Sequence, residues 1–158
     1  MDEVSDLAVT ALRDVLPEAE EWDAAVIDTP GDYGRGTAAA IAAAEVVIVP
    51  VPAETEALLT LDRMTEWRAG VTRRLRRRMP EQVVWYVPVK VDARQTLDND
   101  LIRVLTERYP GQVSSPVRKV GTSATSAFAA RMPVGLFAPE DGITQDYRAA
   151  LAPILATI

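Results

Sequence analysis

An α/β fold, with a mostly parallel sheet flanked by helices, is predicted by two features of the sequence. Short, continuous apolar runs alternate with segments of helical periodicity, and each run stops at a turn former or an acid. The runs fall at residues 24–27, 46–49 and 83–87, with a shorter one around 113–117. Strands of this unalternating kind are covered on both faces, as parallel strands are when helices link them.

In chain order, residues 2–16 place Val4, Leu7, Ala8, Ala11, Leu12 and Val15 on one helical face that ends before Pro17. The run 24–27 reads as a strand ending at Asp28, followed by a turn at Pro30-Gly31. Residues 37–44 are alanine apart from Thr37 and Ile41, which predicts a helix packed closely on the sheet. It feeds the strand 46–49, with a stop expected at Pro50 and Pro52. A long helix over 54–77 leads to the strand 83–87, with Pro88 as an interruption or bulge. Helices over 97–109, 123–130 and 144–157 complete the order, the last with a kink or shortening expected at Pro153. There is no internal repeat and no linker-like stretch, so residues 1–158 read as one α/β domain. In such sheets ligands lie beyond the carboxyl ends of strands, where Asp28, Pro50 and Asp92 are expected.

Composition excludes several chemistries. The 158 residues contain no cysteine and no histidine, so disulfides, thiolate nucleophiles, Cys/His zinc sites and histidine triads are ruled out. No apolar stretch approaches a membrane span and the first residues are acidic, so a soluble, cytoplasmic protein is expected. The net charge of −6 is uneven: residues 1–66 sum to −12, 67–119 to +7 and 120–158 to −1. A basic middle third in an acidic chain suits a local phosphate-binding patch rather than a wholly nucleic-acid-coated surface.

Four apolar residues followed by Asp28 form the pattern that places a carboxylate near Mg²⁺ and its waters, although strand-end aspartates also cap the next turn. Residues 31–37, GDYGRGT, imitate a phosphate loop between a strand and a helix but lack its lysine, and Asp32 sets negative charge where a phosphate would sit. Arg73, Arg74, Arg76, Arg77 and Arg78 cluster at a predicted helix end. There they complement the helix dipole, or alternatively grip DNA phosphates.

The stretch EWDAAVIDTPGDYGRGTAAAIAAAEVVIVPV resembles the segment of ParA/MinD-like (deviant Walker) partition ATPases in which an acidic strand, D-T-P-P, a glycine loop, an alanine-rich helix and an apolar strand follow in order. VDARQTLDNDLIRVLTERYPGQV is similar to the family's D-A-R strand end and following helix, and SPVRKVGTSATSAFAARMPVGLFAPEDGITQDYRAA to its closing region. The whole chain thus resembles the C-terminal half of the family, a partial P-loop NTPase fold. The family's K-G-G-x-G-K-T loop has no match here.

The resemblance implies ATP and Mg²⁺, with Asp28 holding the metal through water, Thr29 and Pro30 shaping a switch, and Lys90, Pro116 and Val117 lining the base pocket. It implies non-specific DNA binding through Arg94, Arg118 and Lys119, to which Arg73, Arg74 and Arg77 of the arginine cluster add a separate candidate surface. A ParB-like partner, a separately supplied N-terminal half and a homo-oligomer are the implied partners. With no phosphate loop, the chain alone is expected not to hydrolyse ATP and to hold no catalytic residue. Two functions remain in view: a partition protein, a fragment or non-hydrolysing half, acting through DNA and protein contacts, or a nucleotide-free regulatory or structural subunit that homodimerises or docks on an intact ParA-like ATPase. In either, loss of the phosphate-loop strand is expected to leave neighbouring strands unpaired.

Overall fold

The computed structural model describes residues 11–16, 22–75, 79–119 and 122–157. Residues 11–15 are helical; the rest of the first expected helix lies outside the described residues. The elements that follow are α1 (Arg35–Ala43), β1 (Val46–Pro52), α2 (Ala57–Leu75), β2 (Val83–Val89), α3 (Thr96–Arg108), α4 (Thr122–Ala129), α5 (Val134–Phe137) and α6 (Gly142–Leu155). The fold is mixed α/β, with a small parallel sheet of β1 and β2, and the chain divides into two compact units.

The first unit comprises Met1–Val47 and Leu59–Gln82. Alanine supplies α1 with high helix propensity and a narrow face, so Ala38 and Ala42 pack against Leu75, with Trp67, Val71 and Met79 around them. The Gln82 side-chain amide donates to the Ile41 and Ala44 carbonyl oxygens at 2.5 and 2.7 Å, satisfying groups at the end of α1 that the helix itself leaves open. The expected strand 24–27 does not form: residues 24–30 belong to no helix and no ladder among the described residues. An apolar run becomes a strand only beside a partner, and none of the described residues lies beside it.

The second unit comprises Ile48–Leu58 and Val83–Ile158. β2 is paired on both sides. Toward β1, the Val89 carbonyl oxygen accepts from Ala53 N–H at 2.9 Å. Pro50 does not stop β1 as expected. Pro50 and Pro52 have the opposite parity to Ala53, so their missing N–H groups face away from β2 and cost no ladder bond.

On its other side β2 meets residues 112–119 through two parallel bridges, Tyr86↔Val113 and Val91↔Arg118. The expected strand 113–117 is therefore split, and two prolines explain the break. The register set at Tyr86 calls next for Pro88 N–H to Ser114 and Pro116 N–H to Pro88, and neither proline has an N–H to give. Instead Val117 N–H reaches the Pro88 carbonyl oxygen at 2.8 Å. Lys90 then takes φ 59°, and this left-handed residue resets the parity so that Val91 both donates to Val117 and accepts from Lys119.

Tyr86, Val87 and Val91 of this strand line are buried, as are Leu101 and Leu105 one turn apart on α3. The Tyr86 and Tyr109 rings stack at 3.9 Å between centroids. The short helix α5 was not foreseen; the Thr144 hydroxyl of α6 ties it down by donating to the Val134 and Ala138 carbonyl oxygens at 3.3 and 2.7 Å. Pro153 lies on the exposed side of α6, which continues past it to Leu155. No helix among the described residues is long and apolar enough to cross a membrane.

Because a branched side chain is strained at positive φ, Lys90→Val is expected to be less stable than Lys90→Gly by about 1–2 kcal/mol in urea unfolding. Equal stability of the two variants would contradict the parity-resetting role of residue 90.

Candidate functional site

In the first unit Asp28, Thr29 and Pro30 are exposed. The loop after them is closed by its own acid. Asp32 Oδ1 accepts from Gly34 N–H at 2.9 Å and from the Thr37 hydroxyl at 3.0 Å, while the Pro30 carbonyl oxygen accepts from Asp32 N–H at 2.8 Å. A Cβ at position 34 would lie 2.9 Å from that carboxylate oxygen, so glycine is what lets the loop close this tightly. The carboxylate thus lies beside the start of α1 on the Gly34 amide and the Thr37 hydroxyl, where a phosphate loop would present free donors. Arg73 and Arg74 stand on the last turn of α2, complementing its dipole; Arg77 lies outside the described residues.

In the second unit the strand ends gather six of the expected residues. The bridge Val91↔Arg118 sets Lys90 and the 92–94 turn beside Pro116, Val117, Arg118 and Lys119. Val117 is buried, whereas Pro116 and Lys119 are exposed. Each of the other three cations is held by a carboxylate. Lys90 Nζ lies 2.8 Å from Glu54 Oε1. Arg94 donates through Nε and Nη2 to the two Asp92 oxygens at 2.9 Å each, and its backbone N–H donates to Asp92 Oδ1 at 3.1 Å, while the side chain remains 90% exposed. Arg118 grips Asp146 with Nε at 2.5 Å, Nη2 at 2.9 Å and backbone N–H at 3.0 Å.

These pairs shift titration in the directions charge dictates. Hydrogen bonds from the Arg94 side chain and then its backbone hold the Asp92 carboxyl far below the usual range, and Asp92 in turn raises Arg94. The Arg118 side chain lowers Asp146, and Asp146 raises Arg118.

Asp98 and Asp141 fix the frame behind them. Asp98, 5% exposed, accepts from Asp92 N–H at 2.7 Å and so anchors the turn that carries Arg94. Asp141 caps α6 by accepting from Ile143 N–H at 3.0 Å and also accepts from the Ser123 hydroxyl. The Ser123 bond, then the Ile143 amide, lowers the Asp141 carboxyl, which makes it a poor base for that hydroxyl. The Arg118 guanidinium lies so close over Gly142 that a Cβ there would collide with it.

The residues present do not build a phosphate site for ATP and Mg²⁺. The loop of the first unit lacks a lysine and is filled by Asp32, and among the described residues no group of three or more acidic side chains is placed to hold a metal. A cleft of about 120 Å³ lies between the 53–58 turn and α3, lined by Ala53, Glu54, Leu58, Leu97 and Leu101. It falls short of the roughly 300 Å³ at which small-molecule sites begin.

No family model matches the sequence, and no curated protein matches it. Among solved structures, the chain is similar to a plasmid partition protein from Borrelia burgdorferi, with a TM-score of 0.66 at 16% identity over 100% of this chain and 56% of that one. It is also similar to a putative plasmid partition protein of Borrelia burgdorferi B31 bound to AMPPNP, with a TM-score of 0.69 at 17% identity over 100% of this chain and 57% of that one. The chain therefore has the fold of plasmid partition proteins along its whole length, and spans little more than half of theirs.

Removing the anchor of the 92–94 turn should be costly. Asp98→Ala leaves the Asp92 amide unpaired and is expected to lose about 1–3 kcal/mol in urea unfolding, whereas Asp98→Asn keeps an acceptor and loses less. Equal losses would contradict the anchoring role. The Asp146 carboxyl titrates below its ordinary 3.8 in the folded chain, so its stabilising share is complete above that value and is lost as pH falls through the lowered one. Asp146→Asn should therefore flatten the fall of the urea midpoint between about pH 5 and 2; an unchanged slope would contradict the pairing with Arg118.

Proposed function

We propose that this chain is a partition protein corresponding to the C-terminal half of the ParA/MinD-like, deviant Walker fold, and that it acts through DNA and protein contacts without hydrolysing ATP unaided. The observation that carries the proposal is the fold shared with two plasmid partition proteins along the entire chain. In the second of these, AMPPNP is bound.

DNA contact falls to Arg94, Arg118 and Lys119 at the strand ends, with Arg73 and Arg74 as a separate basic spot. Arg94 and Arg118 must exchange Asp92 and Asp146 for DNA phosphates, so binding is weak and easily screened. The unpaired run 24–27 favours a second reading, a nucleotide-free subunit that docks on another protein.

Retention of generic duplex DNA without ATP tests the first reading. It is expected near 50 mM salt and lost toward about 200 mM. Arg94→Ala should weaken it several-fold and lower the salt slope by about one, while Asp146→Asn, which frees Arg118, should strengthen it. Salt-insensitive retention, or none even with Asp146→Asn, would overturn it. ATP turnover by the pure chain that is abolished by Asp28→Ala would overturn the non-hydrolysing assignment.

A further inference from the structure

Gly142 opens α6 directly after its cap, Asp141, and its backbone does not call for glycine: among the described glycines Gly111 alone takes a positive φ. The need comes from outside the helix. A Cβ at 142 would stand 2.7 Å from Arg118 Cζ and 3.1 Å from Nη2, and closer still to Nη1, whereas ordinary contact begins at 3.4 Å. The guanidinium therefore rests against a bare α-carbon, and from there it bonds Asp146 on the same helix through Nε and Nη2.

Taken alone, that seat is a poor one for a cation, because helix N-termini attract anions. Asp146 holds Arg118 there, and the charge of Asp141 acts on it too. The backbone N–H of Arg118 donates to the same Asp146 carboxylate at 3.0 Å. The strand end would thus stay tied to α6 with the side chain turned out.

We infer that Gly142 is a positioning residue for Arg118: its bare α-carbon seats the guanidinium on Asp146, and a side chain at 142 turns it out to where a phosphate can reach it. Residue 142 thereby sets how far the Arg118 charge is neutralised within the chain. The inference deepens the DNA reading proposed above and rests on it for the phosphate step alone.

Gly142→Ala in the full chain tests it. By nitrogen-15 NMR, the Arg118 Nε–H of the unaltered chain should exchange at least about tenfold more slowly than that of exposed Arg131. The substitution should erase this difference while the Ile143 amide, bonded to Asp141, stays protected, which separates a displaced guanidinium from a frayed helix. DNA retention should rise several-fold and its salt slope steepen by about one, as Arg118 reaches one more phosphate. In an Arg118→Ala background the same substitution should change neither retention nor slope. Persistent Arg118 protection in Gly142→Ala, or a retention gain that survives Arg118→Ala, would overturn the inference. Lost protection with unchanged retention would support the seat and overturn the DNA contact of Arg118 instead.

Discussion

The double-sided pairing of β2 is the constraint on which the second unit depends. One side carries β1 and the other carries residues 112–119, so the strand ends reach a common edge only if both neighbours keep register. Pro88 and Pro116 make an unbroken ladder impossible, and the chain answers with the Val117 to Pro88 bond and a left-handed Lys90. The break has a constructive result. It turns Val91 toward the 117–119 segment and sets the 92–94 turn beside Arg118 and Lys119.

Electrostatics at that edge are governed by local neutralisation. The middle third of the sequence is basic by +7, but Lys90, Arg94 and Arg118 each sit on a carboxylate, and two of those acids lie close in sequence or on an adjoining turn. The pair exposed on both sides, Lys90 with Glu54, adds little to stability and chiefly fixes side-chain direction. The acids of two of these pairs are the better covered partners: Asp92 and Asp146 keep 20% and 18% of their side-chain surface, against 90% and 57% for Arg94 and Arg118. In the first unit the same logic runs the other way: Asp32 satisfies the amide and hydroxyl that an incoming anion would have used.

Much of this was legible in the sequence because it is local. Helical periodicity placed α2, α3 and α6 within a few residues, and the alanines announced α1. What was not legible depends on partners. Residues 24–27 have strand composition, but pairing belongs to two segments, and among the described residues none lies beside them. Pro50 read as a stop because its harmlessness follows from parity, which appears only once Ala53 is seen to bond Val89. Asp146 meets Arg118 across 28 residues, and no spacing rule reaches that far. Nothing in its spacing marks Asp98 apart from any first-turn acid of α3, while its burial against the Asp92 amide makes it a fastener of the Arg94 turn. Glu54 gave no signal beyond an exposed charge.

A firmly paired β2 coexists with an apolar run at 24–27 that has no ladder partner among the described residues. Residue-resolved amide hydrogen exchange of the isolated chain at low concentration tests it most directly. The account predicts slow exchange at Tyr86, Val91, Ser114, Val117 and Lys119, whose N–H groups bond across the strand line, and fast exchange throughout residues 24–28. Protection at 24–28 as strong as that at Tyr86 and Val91 would contradict it.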